Sequence, residues 1–310
     1  MILKPGDPLP PGSPQLKPHH STHSSRKCNI TESFIESTYI YTFSLPSETN
    51  NGSASQEQKV QRKLYYFAGG GFRGEPTREH WSLCAEMCMQ LPSYSINLVS
   101  YPLVPNSPAS HSIPHLERLY QNLEREAESS DCSITLMGDS AGGNIVLVLG
   151  IYAATRWLAA KQAGEGKKIC PVQNIFAICP ATDLRHQHPE IDEKESKDPV
   201  LTRKIIEEVA DAWRGDWELS DPRISPVLAD LEVLKRAEIK VDGVVGGYDC
   251  LAPEGVQFRD KLAEIGIRGE WLEWERQMHC FVLMFQYHFH EPASAKDWIL
   301  EVLRRNVGMV

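Results

Sequence analysis

A chain of 310 residues with 41% hydrophobic and 24% charged side chains can bury a core of ordinary size, and its formal charge of −9 disfavours nucleic acid or an anionic membrane surface as partner. No stretch reaches the roughly 18 uninterrupted apolar residues of a membrane span, and Met1 to Gly6 lacks the apolar core and cleavage site of a secretory signal, so a cytoplasmic protein is expected. The eight cysteines are scattered with no Cys-x-x-Cys pair, which predicts reduced thiols rather than a disulfide framework or a metal site.

Residues 1–27 are rich in Pro, Gly, Ser and His and read as a flexible arm; His19, His20 and His23 have no carboxylate or cysteine nearby to complete a metal set. The β-branched and aromatic residues from Phe34 to Phe43 predict a strand, and the Ser/Asn/Gly-rich stretch 47–57 a surface loop. Lys63 to Ala68 predicts a strand running directly into Gly69-Gly70-Gly71-Phe72. Three residues without Cβ let the backbone approach a ligand and leave amides free to donate to it. Trp81, Cys84, Cys88 and Leu91 have helical spacing, which predicts a helix over 78–90, and a strand over 95–101 follows until Pro102 and Pro105 end it. Ile113, Leu116, Leu119, Tyr120 and Leu123 share one face of a helix predicted over 112–128.

Ile134 to Met137 predicts a strand and Ile145 to Ala154 a buried helix, with Gly138-Asp139-Ser140-Ala141-Gly142-Gly143-Asn144 between them. A strand that turns sharply into a helix brings backbones together, so small residues must flank the one at the tip, and Ser140 is that residue. Asn174 to Cys179 predicts another strand. The charged, His-rich stretch from Leu184 to Asp221, with a helix over 201–213, then interrupts the alternation as a lid would. A strand over 239–245, a helix from Pro253 to Gly266, a strand over 268–275 and a helix over 292–304 complete the chain. Such alternation predicts one α/β domain over residues 1–310, a mostly parallel sheet covered on both faces.

In a parallel sheet, ligands bind beyond the carboxyl ends of the strands. The polar residues expected there are Gly69 to Gly71, Ser140, Asp183, Asp249 and His279. A serine hydroxyl needs a base, and the base needs an orienting carboxylate. His279 follows the last strand directly, whereas His288 and His290 precede the final helix; Asp249 follows the strand before it, with Asp183 second and Glu254 third as carboxylate. The expected site is therefore Ser140 as nucleophile, His279 as base and Asp249 as its orienting carboxylate. The amides of Ala141, Gly70 and Gly71 are the expected oxyanion donors.

These residues resemble the hormone-sensitive-lipase-like esterases and lipases of the α/β-hydrolase fold over residues 60–305. Tyr65 to Phe72 is similar to the family's oxyanion segment, Gly138 to Asn144 to its elbow, and Tyr101-Pro102-Leu103-Val104-Pro105 to the segment between them. Ile224 to Asp230, Gly247 to Leu251 and Met278 to Phe281 resemble its later blocks. The resemblance implies a cap built from the arm of residues 1–27 and the insertion 184–223. It also implies hydrolysis of short or medium acyl esters without a cofactor or metal, with a small-molecule acyl substrate. Two positions depart from the family pattern: its histidine before the three glycines is Ala68 here, and the arm is Pro-rich. Use of the same triad in thioester release, lactone chemistry or a condensation, and a non-catalytic receptor on this scaffold, stay open at this stage.

Overall fold

Strand residues alternate between two cores in the computed structural model, which describes residues 12–19, 28–46, 62–165 and 168–307. The loop expected over 47–57, His20 and His23 lie outside the described residues. The first half of the chain forms β1 (Asn29–Ile35), β2 (Thr38–Ser44), β3 (Arg62–Phe67), α1 (Arg78–Gln90), β4 (Tyr94–Ser100), α2 (Ala109–Ser129), β5 (Ser133–Asp139) and α3 (Ala141–Gln162). There follow β6 (Val172–Ile178), α4 (Ile191–Glu195), α5 (Arg203–Arg214), α6 (Glu232–Arg236), β7 (Lys240–Gly246), α7 (Ala252–Ile265), β8 (Trp271–Trp274) and α8 (His290–Val307).

The eight strands make one sheet in the order β1-β2-β4-β3-β5-β6-β7-β8. β2 is antiparallel to both β1 and β4, and every other neighbouring pair is parallel. On β3, Tyr65 and Phe67 join one core while Leu64 and Tyr66 join the other; on β6, Ile175 and Ala177 face away from Phe176 and Ile178. That is the period of two a sheet covered on both faces requires. Residues of α2, α3, α6 and α7 fill the first core, and residues of α1 and α8 the second. Among the described residues, α3 is the one helix long and apolar enough to cross a membrane, but 61% of its apolar window is buried inside the molecule. Its composition is that of a central core helix.

Two expectations change. The strand predicted over Phe34–Phe43 is two strands, because Glu36 (φ 46°) and Ser37 (φ 55°) both adopt left-handed backbone and turn the chain. A two-residue turn of this kind usually announces itself by Asn-Gly or Asp-Gly, and Glu-Ser carries no such signal. The described part of the arm, residues 12–19, is docked rather than free. Leu16 is buried, its N–H donates to Tyr41 Oη (2.7 Å), and Ser100 Oγ donates to the Pro14 carbonyl (2.6 Å).

Candidate active site

The parallel strands β3, β5, β6, β7 and β8 end on the same edge of the sheet, and the turns beyond them carry the expected site residues. β5 passes into α3 through Ser140 alone, held at φ 52° and ψ −120°. A non-glycine residue in that region is strained, and here the strain lifts the hydroxyl clear of both elements. The turn is so tight that a Cβ on Gly142 would stand 1.9 Å from the Phe67 carbonyl oxygen, so no other residue fits there. Asn144 closes the motif from inside: its Nδ2 donates to the carbonyls of Ala181 and Ile224, both at 2.7 Å, and ties α3 to the chain beyond β6.

His279 lies in the turn after β8 with Nε2 2.9 Å from Ser140 Oγ and Nδ1 2.9 Å from Asp249 Oδ2. A carboxylate only accepts, so Nδ1 carries a hydrogen, and in the neutral ring Nε2 presents its lone pair to the serine. Asp249 is fully buried, and its second oxygen accepts from the Leu251 amide at 2.8 Å. Burial alone would lower the His279 pKa; the charge of Asp249 and the hydrogen bond to it outweigh that and raise it to about 9.

At the end of β3 the three glycines form a tight turn in which the Gly70 carbonyl accepts from the amides of Arg73 (3.2 Å) and Gly74 (2.9 Å). Gly71 sits at φ 60°, backbone that favours glycine. The amides of Gly70, Gly71 and Ala141 have no acceptor among the described residues, and all three residues border the cavity above Ser140. The first amide of the run is differently engaged: Gly69 N–H donates to Asp139 Oδ1 (2.9 Å), which also accepts from Tyr66 Oη (2.7 Å). Asp139 Oδ2 faces His80 Nε2 at 3.2 Å. His80 Nδ1 accepts from the Thr77 amide (2.9 Å), which can only donate, so Nε2 carries the hydrogen that reaches Asp139. Burial pushes the Asp139 carboxyl up, and His80, Tyr66 and Gly69 together hold it below its ordinary value. This brace fixes the glycine turn although position 68 is alanine. The sequence hint for it is the Thr77-x-x-His80 spacing at the start of α1, a capping pattern.

Above these residues lies a cavity of about 500 Å³ whose walls include Leu201, Ile205, Val209, Leu251, Leu283 and Met284. Most of its apolar wall comes from the stretch between β6 and β7. α5 is started by Thr202, whose Oγ1 accepts from the Ile205 amide at 3.2 Å. It packs on the glycine turn through Val209, which stands against Gly71, and through Trp213, whose ring stacks on Phe72 at 4.1 Å and 7°. A hollow of about 600 Å³ between α4 and α7 is lined by charged residues such as Glu190, Lys194 and Asp260, and it includes none of Ser140, Asp249 and His279.

The other carboxylates considered from sequence are committed elsewhere. Asp183 makes a two-pronged pair with Arg185 (2.9 and 2.6 Å), and Glu254 faces His186 at 3.0 Å. Neither contacts His279. His288 ends the helical turn before α8 and His290 begins α8 itself. Cys250, next to Asp249 in sequence, turns its thiol to the Leu201 carbonyl (3.2 Å), whereas Cys280 Sγ lies 3.4 Å from His279 Nε2.

A family model described as alpha/beta hydrolase fold matches residues 64–283. Among solved structures, the chain is similar to a putative esterase from Staphylococcus aureus (19% identity, TM-score 0.74, covering 94% of this chain and 87% of that one). It is likewise similar to a hormone-sensitive lipase from a metagenome library (19%, TM-score 0.70, 91% and 86%). A third is EstE5 soaked with p-nitrophenyl butyrate (17%, TM-score 0.71, 91% and 85%). No curated protein matches the sequence.

Proposed function

Because the chain belongs to the alpha/beta hydrolase fold family, we propose that it is a serine hydrolase that cleaves carboxylic esters of short or medium acyl groups. What carries this is the unbroken hydrogen-bonded line from Ser140 Oγ through both nitrogens of His279 to Asp249, 2.9 Å at each joint. His279 Nε2 takes the Ser140 proton as Oγ attacks the acyl carbonyl, and Asp249 holds the tautomer and stabilises the imidazolium. Negative charge grows on the carbonyl oxygen and is met by the amides of Gly70, Gly71 and Ala141. Each such donor is typically worth about 2.7–4 kcal/mol of barrier. The imidazolium then protonates the leaving alcohol, and water activated by His279 opens the acyl-serine ester. Residues 184–223 act as the cap, with α5 lining the cavity above the nucleophile.

The cavity dimensions and apolar wall set the test. Each methylene taken from water into such a wall stabilises by about 0.8 kcal/mol, so kcat/KM should rise about fourfold per added carbon. The series to measure runs from p-nitrophenyl acetate through the butyrate to the octanoate, alongside the matching thioesters. A flat series, or turnover of thioesters alone, would remove the support for an ester substrate with an apolar acyl chain.

The brace on the glycine turn makes a separate prediction. His80→Ala removes a donor from Asp139 and frees the turn to shift, and a misplacement on the order of 1 Å costs about a hundredfold. We expect kcat to fall by up to that factor with KM nearly unchanged, since none of the apolar side chains of the wall is changed. An equal loss in KM would mean that His80 supports the pocket as a whole and not the donors.

A further inference from the structure

We propose that Cys179, His279 and Cys280 form a soft-metal site that takes Zn²⁺ and, by occupying His279 Nε2, switches the hydrolase off. Cys179 directly follows β6, and Cys280 follows His279 after β8. The sulfur of each and one imidazole nitrogen lie within 4.8 Å of one another. Cys280 Sγ is 3.4 Å from His279 Nε2. A tetrahedral zinc with bonds of about 2.3 Å to sulfur and about 2.0–2.1 Å to nitrogen spans an S···N distance of roughly 3.5 Å. The Cys280–His279 pair is therefore already near the right separation before any metal enters, with Cys179 within 4.8 Å.

Two further observations favour a built site over chance proximity. Cys179 (φ 45°) and Cys280 (φ 51°) are both held in left-handed backbone. Sequence alone does not select that conformation for cysteine, and here both sulfurs and one His279 nitrogen lie within 4.8 Å of one another. His279 Nδ1 is fixed on the Asp249 carboxylate (2.9 Å), the outer partner that orients most metal-binding imidazoles. Access is also present, because His279 and Cys280 line the 500 Å³ cavity. Each cysteine gives up its thiol proton to solvent as Zn²⁺ binds, so two thiolates neutralise the ion; Ser140 Oγ, 2.9 Å from Nε2, or a water takes the fourth position.

The site itself stands apart from the proposed reaction, and only its inhibitory consequence rests on the ester hydrolase reading. Reduced full-length protein is titrated with Co²⁺ as spectroscopic probe and then with Zn²⁺. One Co²⁺ per chain should give thiolate-to-cobalt charge-transfer absorption, displaced by one equivalent of Zn²⁺, in both the wild type and Ser140→Ala. Cys179→Ala and Cys280→Ala should each weaken binding by about a hundredfold or more, while Cys28→Ala leaves it unchanged. In the wild type, one equivalent of Zn²⁺ should block fluorophosphonate labelling, and chelation should restore it. A cobalt complex without thiolate bands, or bands that survive both cysteine variants, overturns the site. Full labelling at saturating Zn²⁺ overturns the switch. Metal binding by a protein that never labels sustains the site and defeats the hydrolase assignment.

Discussion

Ser140→Ala is expected to lower kcat by about a million-fold and to abolish covalent labelling by a fluorophosphonate. In a triad the members act as a unit, and loss of the nucleophile alone costs nearly as much as loss of all three. His279→Ala should therefore fall by a similar factor, and the double variant should be no worse than either. What survives is the roughly thousandfold or greater advantage over water that amide donors and binding supply. Mass spectrometry of the labelled protein checks the site directly. Labelling that persists in Ser140→Ala would place the nucleophile elsewhere. A folded Ser140→Ala protein, shown by an unchanged melting temperature, is the control. The fold does not depend on the hydroxyl, whose proton partner, His279, is held independently by Asp249.

Asp249→Asn should lower kcat by about ten-thousand-fold with little change in KM. The cause is a tautomer. Asp249 Oδ2 accepts from His279 Nδ1 at 2.9 Å, while Oδ1 accepts from the Leu251 amide at 2.8 Å. The Leu251 amide keeps the asparagine carbonyl for itself and turns the amide nitrogen toward His279. Nδ1 must then accept, the hydrogen moves to Nε2, and the imidazole can no longer take the serine proton. Asp183→Asn provides the discriminating comparison, because Asp183 is engaged by Arg185 and not by His279. Its kcat should stay within a few-fold of wild type. A reversal, with Asp183→Asn the inactive protein, would reassign the carboxylate.

The positions of Ser140, Asp249 and His279 are legible in the sequence because each follows directly on the strand that carries it, and strands in a parallel sheet end on one edge. The glycine run is legible for the same reason. The hairpin at Glu36 and Ser37 is not, since left-handed backbone there is imposed by the pairing of β1 with β2 and has no glycine or asparagine to mark it. The docking of residues 12–19 is hidden because it depends on hydrogen bonds that Tyr41 accepts from, and Ser100 donates to, a Pro-rich stretch with no periodicity of its own. His80 and Asp139 read as a helix residue and a motif residue, and only the fold turns one toward the other. The proximity of Cys179 to Cys280 is invisible for a similar reason: a metal set assembled from two distant strand ends has no spacing to recognise.

The stack of Trp213 on Phe72 has a mechanical consequence. Phe72 is the residue directly after Gly71, so the stacked rings, together with Val209 against Gly71 and Arg73 Nη2 on the Glu208 carbonyl, couple α5 to the glycine turn whose amides are proposed to meet the oxyanion. A motion that lifts α5 to widen the entrance pulls on the glycine turn and spoils the alignment of its donors. A state with α5 lifted would then be idle, and the seated α5 seen here is the arrangement that keeps the donors in line. Ile205 and Val209 of α5 border the same cavity, so an acyl chain packed against them would favour the seated helix.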